Sequence, residues 1–98
     1  MGTVGNKDEK ITMNIMGMDF EYNPATGLLT ENGIETTIIP YRCRIDIETV
    51  DVYFDIENGR WYYSKTFTPV HADLSIKIDQ KFRKEYNLNG ELKHYQLD

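Results

Sequence analysis

The sequence predicts a β-rich α+β domain in which an antiparallel meander sheet carries one C-terminal helix packed on its apolar face. Three observations support this class. Apolar and polar residues alternate along most of residues 10–68, which is the pattern of half-buried strands. Turn residues, above all Asn-Gly pairs, interrupt the alternation at short intervals, as they do between neighbouring antiparallel strands. Beyond Pro69 the apolar residues recur every four positions, which indicates a helix.

Length and composition are those of one small folded domain. The chain has 98 residues, of which 40% are hydrophobic and 12% aromatic. That is enough apolar side chain for a single core without the help of a metal or disulfides. Residues 1–9 are rich in glycine and charge and show no periodicity. We therefore predict a flexible N-terminal arm over residues 1–9 and a single domain over residues 10–98.

The charge of the chain disfavours one class of partner. The formal net charge is −5, with 11 acidic and 5 basic side chains among residues 1–60. An acidic protein repels the phosphate backbone at long range, so general nucleic-acid binding is disfavoured. Neither a signal peptide nor an apolar run of membrane-spanning length is evident. The cytoplasm is the expected location, without membrane association.

The first part of the chain is predicted to be a series of short strands joined by tight turns. Gly17 ends the first strand. Residues 23–27, NPATG, form a turn, because proline presets φ and the closing glycine accepts a left-handed conformation. Asn32-Gly33 marks a tight hairpin. The predicted strands lie at residues 11–15, 19–22, 28–31 and 34–39.

Two features of the next segment allow alternatives. Pro40 either ends the strand over residues 34–39 or confines it to a sheet edge, where a missing amide hydrogen does no harm. Along residues 41–49 and beyond, the parity of the inward apolar positions changes near Glu48 and Thr49. A β-bulge or an unsignalled tight turn would each produce that change. We favour the bulge, because no Gly, Pro or Asn is present to make a turn.

A hairpin over residues 50–68 is the central element of the predicted sheet. A type I′ turn at Asn58 and Gly59 would place Ile56 opposite Trp61. One face of this hairpin is apolar, and we predict that it forms the floor of the core under the helix. That face carries Val50, Val52, Phe54, Ile56, Trp61, Tyr63 and Phe67.

The C-terminal helix is predicted to start at Leu74, with Asp73 as its cap. Residues 72–78 also alternate as a strand would, with a short helix after them. We favour the long helix, because it accounts for a longer apolar stripe. The stripe consists of Leu74, Ile78, Phe82 and Tyr86, the predicted helix exit is Asn89-Gly90, and residues 92–97 form a final edge strand or an arm.

The sequence contains no recognisable catalytic or metal-binding motif. His71 and His94 are too far apart for a ligand pair, and Cys43, the single cysteine, lies on an apolar face as a buried thiol would. The segment after Asp55 lacks the ligand spacing of a calcium loop. Phosphate-binding and nucleophile-elbow motifs are also missing. These observations favour a protein that is not an enzyme and has neither a cofactor nor a metal.

One short segment resembles a known family. Residues 20–30, FEYNPATGLLT, are similar to the Tyr-Asp-Pro-x-Thr-Gly-x-Leu hairpin near the start of many phage-encoded HNH homing endonucleases. The resemblance covers about a tenth of the chain. No counterpart of the catalytic His-Asn-His cluster is present, so the resemblance implies a phage or mobile-element origin and no nuclease activity.

Two surfaces remain as candidate binding sites. The polar face of the central hairpin carries tyrosines among carboxylates, a combination that suits a protein interface. The helix carries a group of basic residues. The candidate partner-binding residues are Tyr53, Asp55, Tyr62, Asp51 and Glu57, and the basic residues of the helix are Lys77, Lys81, Arg83 and Lys84.

The leading functional hypothesis is a non-enzymatic protein-binding module, such as a small accessory or inhibitory protein, whose partner is another protein. One alternative is a protein that binds or mimics nucleic acid. Another is a small-molecule site between helix and sheet. Monomer and homodimer are both compatible with the sequence, since an exposed strand edge near residues 34–39 or the C-terminus would allow pairing with a second copy.

Overall fold

The computed structural model describes residues 10–86, and within them the predicted β-rich α+β class is confirmed. The predictions for residues 1–9, 89–90 and 92–97 lie outside the described residues. The strands and the helix are β1 (Ile11–Ile15), β2 (Met18–Asn23), β3 (Leu28–Glu31), β4 (Ile34–Thr36), β5 (Ile38–Ile45), β6 (Glu48–Asp55), β7 (Arg60–Tyr63) and α1 (Ala72–Glu85). No helix among the described residues is long and apolar enough to cross a membrane.

The strands belong to two antiparallel sheets instead of one continuous meander. The first sheet has the order β1-β2-β3-β4 and the second has the order β5-β6-β7. The chain accordingly divides into two compact units, with the boundary between Thr36 and Thr37. The predicted strand over residues 34–39 is therefore wrong as a single element, because its two halves pair in different sheets.

The first sheet is held by the predicted turns. Asn32 and Gly33 both have positive φ angles (50° and 86°), as the predicted tight hairpin requires. In the turn at residues 23–27, the amide of Gly27 donates to the Asn23 carbonyl (2.7 Å), and φ of Gly27 is 76°. The side chains of this sheet that are buried share one face, and they are Met13, Ile15, Phe20 and Leu29.

Pro40 lies inside β5, which is an edge strand of the second sheet as the edge alternative requires. The Ile56 amide donates to the Thr37 carbonyl (2.9 Å), which makes the odd-numbered residues of β5 the hydrogen-bonded partners of β6. Pro40 faces Tyr53 at a position where its nitrogen points away from β6. The missing N–H therefore costs this sheet no hydrogen bond.

The predicted β-bulge near Glu48 is wrong. Ile45 pairs with Glu48, so Asp46 and Ile47 form a two-residue turn between β5 and β6. Asp46 has a positive φ of 58°, a conformation that aspartate tolerates better than most residues. This turn reverses the chain without Gly, Pro or Asn, and it leaves Ile47 84% exposed.

The predicted register of the central hairpin is also wrong, although its inward face is largely right. Phe54 pairs with Trp61 and Asp55 with Arg60, so the turn has four residues, 56–59, instead of two. The Asp55 carboxylate accepts hydrogen bonds from the amides that follow it and so stabilises the wider turn. The register is shifted by two residues relative to the prediction, and an even shift leaves the side chains of β6 and β7 on their predicted faces.

The return strand β7 ends at Tyr63, earlier than the sequence predicts. The following residues form a turn in which the Phe67 amide donates to the Tyr63 carbonyl (2.8 Å). The segment then runs along β7, because the Tyr63 amide donates to the Thr68 carbonyl (2.9 Å) and the Val70 amide to the Trp61 carbonyl (3.0 Å). Phe67 is 71% exposed, so its predicted place in the core is wrong.

The long C-terminal helix is confirmed over the strand alternative for residues 72–78. Its N-cap is His71, which makes no side-chain cap bond, and Asp73 lies in the first turn, so Asp73 is not the cap. Ser75 is buried beside the predicted stripe, and its hydroxyl donates to the Val70 carbonyl (2.9 Å). Ile78 and Phe82 are buried as predicted.

The helix lies on the apolar face of the second sheet, as predicted. The Trp61 ring is fully buried and meets Phe82 (ring centroids 5.3 Å apart), and its Nε1 donates to the Asp79 carboxylate (2.9 Å). The Tyr41 hydroxyl donates to the Glu85 carboxylate (2.6 Å). The indole N–H of Trp61 and the hydroxyl of Tyr41 thus both have hydrogen-bond acceptors on the helix, as polar atoms at a buried contact require.

Candidate protein interface

The face of the second sheet opposite the helix carries a row of four residues that crosses all its strands. Pro40 of β5 stands opposite Tyr53 of β6, Tyr53 stands opposite Tyr62 of β7, and Tyr62 forms a bridge with Pro69. We call Pro40, Tyr53, Tyr62 and Pro69 the tyrosine row. The two tyrosines are predicted site residues, and the strand register adds the two prolines.

The two tyrosines of the row stack on each other. Their ring centroids are 5.3 Å apart, and the ring planes differ by 16°. Directly opposed side chains on neighbouring strands are close enough for such a contact. Burial raises the pKa of Tyr53, and Tyr62 and Asp55 add to the increase, so the hydroxyl of Tyr53 stays protonated to a higher pH than that of an exposed tyrosine.

Phe67 lies beside the row and was not among the predicted site residues. Its ring meets Tyr53 edge-on, with centroids 6.3 Å apart. Its backbone φ is +60°, which costs a side chain with a Cβ about 1–2 kcal/mol. A bulky, 71% exposed aromatic residue in this conformation is an outlier of the kind that concentrates at functional sites. Phe67 continues the apolar alternation of the strand before it, so the sequence pattern predicts a core residue at this position.

The carboxylates of the predicted site have structural partners. Asp51 accepts a hydrogen bond from Arg42 Nε (2.5 Å), and this contact raises the pKa of Arg42. Asp55 accepts from the Glu57 amide (3.0 Å) and from Asn58 Nδ2 (2.8 Å). Glu57 is exposed in the turn instead of lying on the strand face. The structure therefore brings Tyr53, Tyr62, Asp51 and Asp55 to one face and separates Glu57 from them.

The charge around the tyrosine row is balanced. Arg42 pairs with Asp51 on one side of the row, and Arg60 stands opposite Asp55 on the other. These four flanking side chains comprise two acidic and two basic residues. The acidic character expected for this face does not follow from its composition, and its most distinctive chemistry is aromatic.

The basic residues of the helix do not form one group. Arg83 is only 11% exposed and donates from Nε to the Asp79 carboxylate (2.9 Å), so it belongs to the contact between helix and sheet. Lys77, Lys81 and Lys84 are exposed and follow one another at intervals of four and three, which places them on one face of the helix. Three of the four predicted basic residues thus share a surface.

A shallow groove of about 400 Å³ lies between the helix and the second sheet. Val50, Tyr63 and Leu74 supply apolar surface, and Glu48 and Lys65 supply charge. This groove corresponds to the predicted small-molecule alternative. Cys43 is buried as predicted, and burial raises the pKa of its thiol. Within residues 10–86 no three His, Cys, Asp or Glu side chains cluster as metal ligands would.

Comparison of the chain with protein-family models, curated proteins and solved structures returned no match. The segment that resembles the endonuclease hairpin, residues 20–30, forms most of β2, a turn and most of β3. The phage or mobile-element origin that it implies stays a prediction, and the function has to be argued from the geometry of the site.

Proposed function

We propose that the chain is a small, non-enzymatic protein-binding module, accessory or inhibitory in its role, that engages a partner protein through the tyrosine row and Phe67. The observation that carries the proposal is the stacked pair Tyr53–Tyr62, framed by prolines on an open sheet face and flanked by a strongly exposed phenylalanine. We also propose a phage or mobile-element origin, which the resemblance of residues 20–30 implies.

The composition of this face supports an interface. Tyrosine and arginine are over-represented among residues that dominate binding energy, and an apolar centre with a charged rim is the usual anatomy of a binding patch. Here the apolar centre is the tyrosine row with Phe67, and the rim contains the Arg42–Asp51 pair. Full burial of a phenylalanine side chain contributes about 1.5–3 kcal/mol of free energy. Because Phe67 is 71% exposed in the free protein, most of this contribution would arise only when a partner covers the ring.

The stacking of the tyrosines argues against a platform for nucleic-acid bases. Proteins that bind single strands without base-specific contacts offer open aromatic faces on which bases stack. Tyr53 and Tyr62 cover one ring face of each other, and prolines stand at both ends of their row. The ring faces that the two tyrosines turn to each other are thus not open to a base, and this arrangement suits a protein surface better.

Site-specific photocrosslinking tests the proposal. A benzoylphenylalanine replaces Tyr62 in one variant, and Ile47 in a matched control, because Ile47 is strongly exposed in the same unit but lies in the β5–β6 turn. In extracts of the native host, we expect position 62 to crosslink to one discrete protein, and an excess of the unmodified chain should suppress this crosslink. Position 47 should give no crosslinked protein. Equal crosslinking at both positions, or none at position 62, contradicts the proposal.

Two other functions are supported by separate features. The groove beside Leu74 favours a small-molecule site, which a ligand-induced rise in melting temperature from a metabolite panel would support. Lys77, Lys81 and Lys84 favour contact with phosphates, which requires nucleic-acid binding that weakens steeply with salt. The absence of both effects removes these alternatives and leaves the protein interface.

A further inference from the structure

We propose that the groove beside Leu74 binds a short extended segment of a partner protein, which adds a strand to the second sheet next to residues 48–50. The groove lies on the helix side of this sheet, so it is a binding surface separate from the tyrosine row. It recognises backbone groups together with an apolar side chain and the charges on either side of it. Binding at one of the two surfaces does not require the other.

The second sheet has a gap where β7 is shorter than β6. β5 pairs with all eight residues of β6, whereas β7 pairs only with residues 52–55. The Ser64 amide extends this contact by one hydrogen bond, to the Asp51 carbonyl (3.1 Å), and the chain then turns away. Residues 48–50 of β6 therefore form an open strand edge on the β7 side.

The backbone groups of Thr49 point into this gap. Even-numbered residues of β6 hydrogen-bond to β5, as the bond from the Ile56 amide to the Thr37 carbonyl shows, so the odd-numbered residues direct their N–H and C=O groups toward β7. Those of Thr49 form no hydrogen bond with any residue in the range 10–86. An unpaired donor and acceptor on a strand edge are a template for a further strand. The occupant that satisfies both groups is an extended peptide backbone.

The other edges of this sheet are less suited to an added strand. Along the outer side of β5, Pro40 points its nitrogen outward and has no N–H to donate. The outer side of β7 is already bonded to Thr68 and Val70. Strand addition to this sheet is therefore favoured at the gap beside Thr49.

Apolar side chains define one residue of the bound strand. Val50, Tyr63 and Leu74 line the groove, whose volume of about 400 Å³ lies within the range of ligand sites. A strand residue placed beside Val50 directs its side chain to the same face of the sheet, where these three residues surround it. That residue must therefore be apolar.

Opposite charges mark the two ends of the groove. Glu48 begins β6 at one end, and Lys65 follows Ser64 at the other. A strand that continues the direction of β7, antiparallel to β6, enters beside Lys65 and leaves beside Glu48. Charge complementarity therefore favours an acidic residue at the entry and a basic residue two positions after the apolar one.

The contact is short, so an isolated peptide should bind weakly. Two backbone hydrogen bonds at Thr49 and one buried side chain are opposed by the loss of freedom of a flexible chain. We expect a dissociation constant of about 0.1–1 mM. A partner protein that already holds the segment extended should bind more tightly.

NMR titration of the full, isotope-labelled chain with the capped tetrapeptide Glu-Leu-Thr-Lys tests the strand site. The backbone amide signals of residues 48–51 and of Leu74 should shift and saturate. Lys-Leu-Thr-Glu has the same composition with its charges exchanged, and it should bind at least about fivefold more weakly. A peptide N-methylated at its threonine cannot donate to the Thr49 carbonyl and should cause no saturable shift.

A charge reversal in the chain checks the same contact from the other side. Glu48→Lys replaces an exposed side chain and should weaken binding of Glu-Leu-Thr-Lys at least about fivefold. Glu35→Lys is the matched control, because it makes the same change of charge at an exposed position in the first sheet. It should leave the dissociation constant within about twofold.

Several results would show that the strand site is wrong. These are a lack of saturable shifts up to about 5 mM peptide, equal binding of the N-methylated peptide, and shifts at Tyr53 and Tyr62 instead of at the groove. A Thr49 amide that is protected from hydrogen exchange in the free chain would also contradict it, because the edge would then already be covered. Crosslinking at position 62 reports on the opposite face, so the proposed function stands or fails by that separate measurement.

Discussion

Asp79 is the side chain on which the contact between helix and sheet depends most. One of its carboxylate oxygens accepts from Trp61 Nε1 and the other from Arg83 Nε, both at 2.9 Å. The carboxylate and the guanidinium are largely buried, with side-chain exposures of 14% and 11%. Hydrogen bonds to a charged acceptor are stronger than neutral ones, and a buried partner left without its bond is costly.

Replacement of Asp79 should therefore destabilise the fold far more than replacement of another helix aspartate. Asp79→Ala removes the acceptor of the indole N–H and the carboxylate that pairs with the buried guanidinium of Arg83, and we expect a loss of about 3 kcal/mol in the free energy of unfolding. Asp73→Ala removes an exposed carboxylate from the first helical turn and should cost no more than about 1 kcal/mol. Urea denaturation of both variants measures the difference, and equal losses would contradict this role for Asp79.

Tyr41 should make the fold sensitive to alkaline pH. Burial raises the pKa of Tyr41 far above its ordinary value of 10.0, and the hydrogen bond to Glu85 adds to the increase. Because the folded state holds this proton more tightly than the unfolded state, its contribution to stability is complete below pH 10 and declines as the pH rises above it. Cys43, whose pKa is raised by burial from 9.0, acts in the same direction from a lower pH.

A pH series of urea denaturation checks this expectation. The free energy of unfolding should be flat from pH 7 to pH 8 and should decline above pH 9 to 10, in line with the ordinary values of the two groups. Tyr41→Phe removes the hydroxyl, so its curve should decline less steeply than that of the wild type. Identical slopes for the two proteins would show that Tyr41 does not contribute.

The sequence indicates the two tyrosines of the site but not Phe67 beside them. Tyr53 and Tyr62 follow from the alternation of the strands, which an even register shift does not disturb. Phe67 continues that alternation as a core residue would, and only the early end of β7 at Tyr63 moves it to the surface. The strand ends in a local turn in which Phe67 itself has a positive φ angle, and an alternation of apolar residues does not signal such a turn.

At the scale of the elements, Asp55 and Asp51 differ in the contacts that their carboxylates stabilise. The Asp55 side chain organises the turn between β6 and β7 through backbone amides and Asn58, whereas Asp51 forms an exposed pair with Arg42. We expect Asp55→Ala to lower the free energy of unfolding by about 1–2 kcal/mol. We expect Asp51→Ala to change it by less than about 1 kcal/mol. Chemical denaturation distinguishes them, and a larger loss for Asp51→Ala would reverse this assignment.

The turns of this chain differ in whether the sequence predicts them. Asn32 and Gly33 predict their hairpin correctly, because both residue types favour the positive φ angles that the turn needs. The turn at Asp46 and Ile47 carries no such signal, and the division of the chain at Thr37 has neither glycine nor proline at the boundary. Both features depend on which consecutive strands pair and in which register, which the apolar alternation does not specify, so the sequence predicts the fold class but not the number of sheets.

At the scale of the whole molecule, the two units differ in chemistry. Among residues 10–36 there are four acidic side chains and one basic one, whereas residues 37–86 are balanced. The second unit contains its own aromatic cluster, in which Trp61, Phe82 and Tyr41 contact one another, and its own helix. Its stabilising contacts are therefore largely internal.

We expect a fragment of residues 37–98 to fold by itself. At this length a single core is marginal, so the fragment should be less stable than the full chain but should still unfold cooperatively. Circular dichroism should show helical signal and a sigmoidal thermal transition. A fragment of residues 1–36 is shorter than the roughly 40 residues that usually suffice without staples, and it should show no such transition. A non-cooperative 37–98 fragment would contradict this independence.

The four-residue turn between β6 and β7 also bears on how this protein can change over generations. As long as Asp55 stays opposite Arg60, Trp61 faces inward and Tyr62 outward whatever the number of residues between the paired positions. Loops of two, three and four residues all close antiparallel hairpins, so the turn at 56–59 should tolerate the loss of one or two residues. A residue gained or lost within β6 or β7 would exchange the two faces beyond it, so inherited length variation should concentrate in the turn, and a change of length within either strand should come with a compensating bulge.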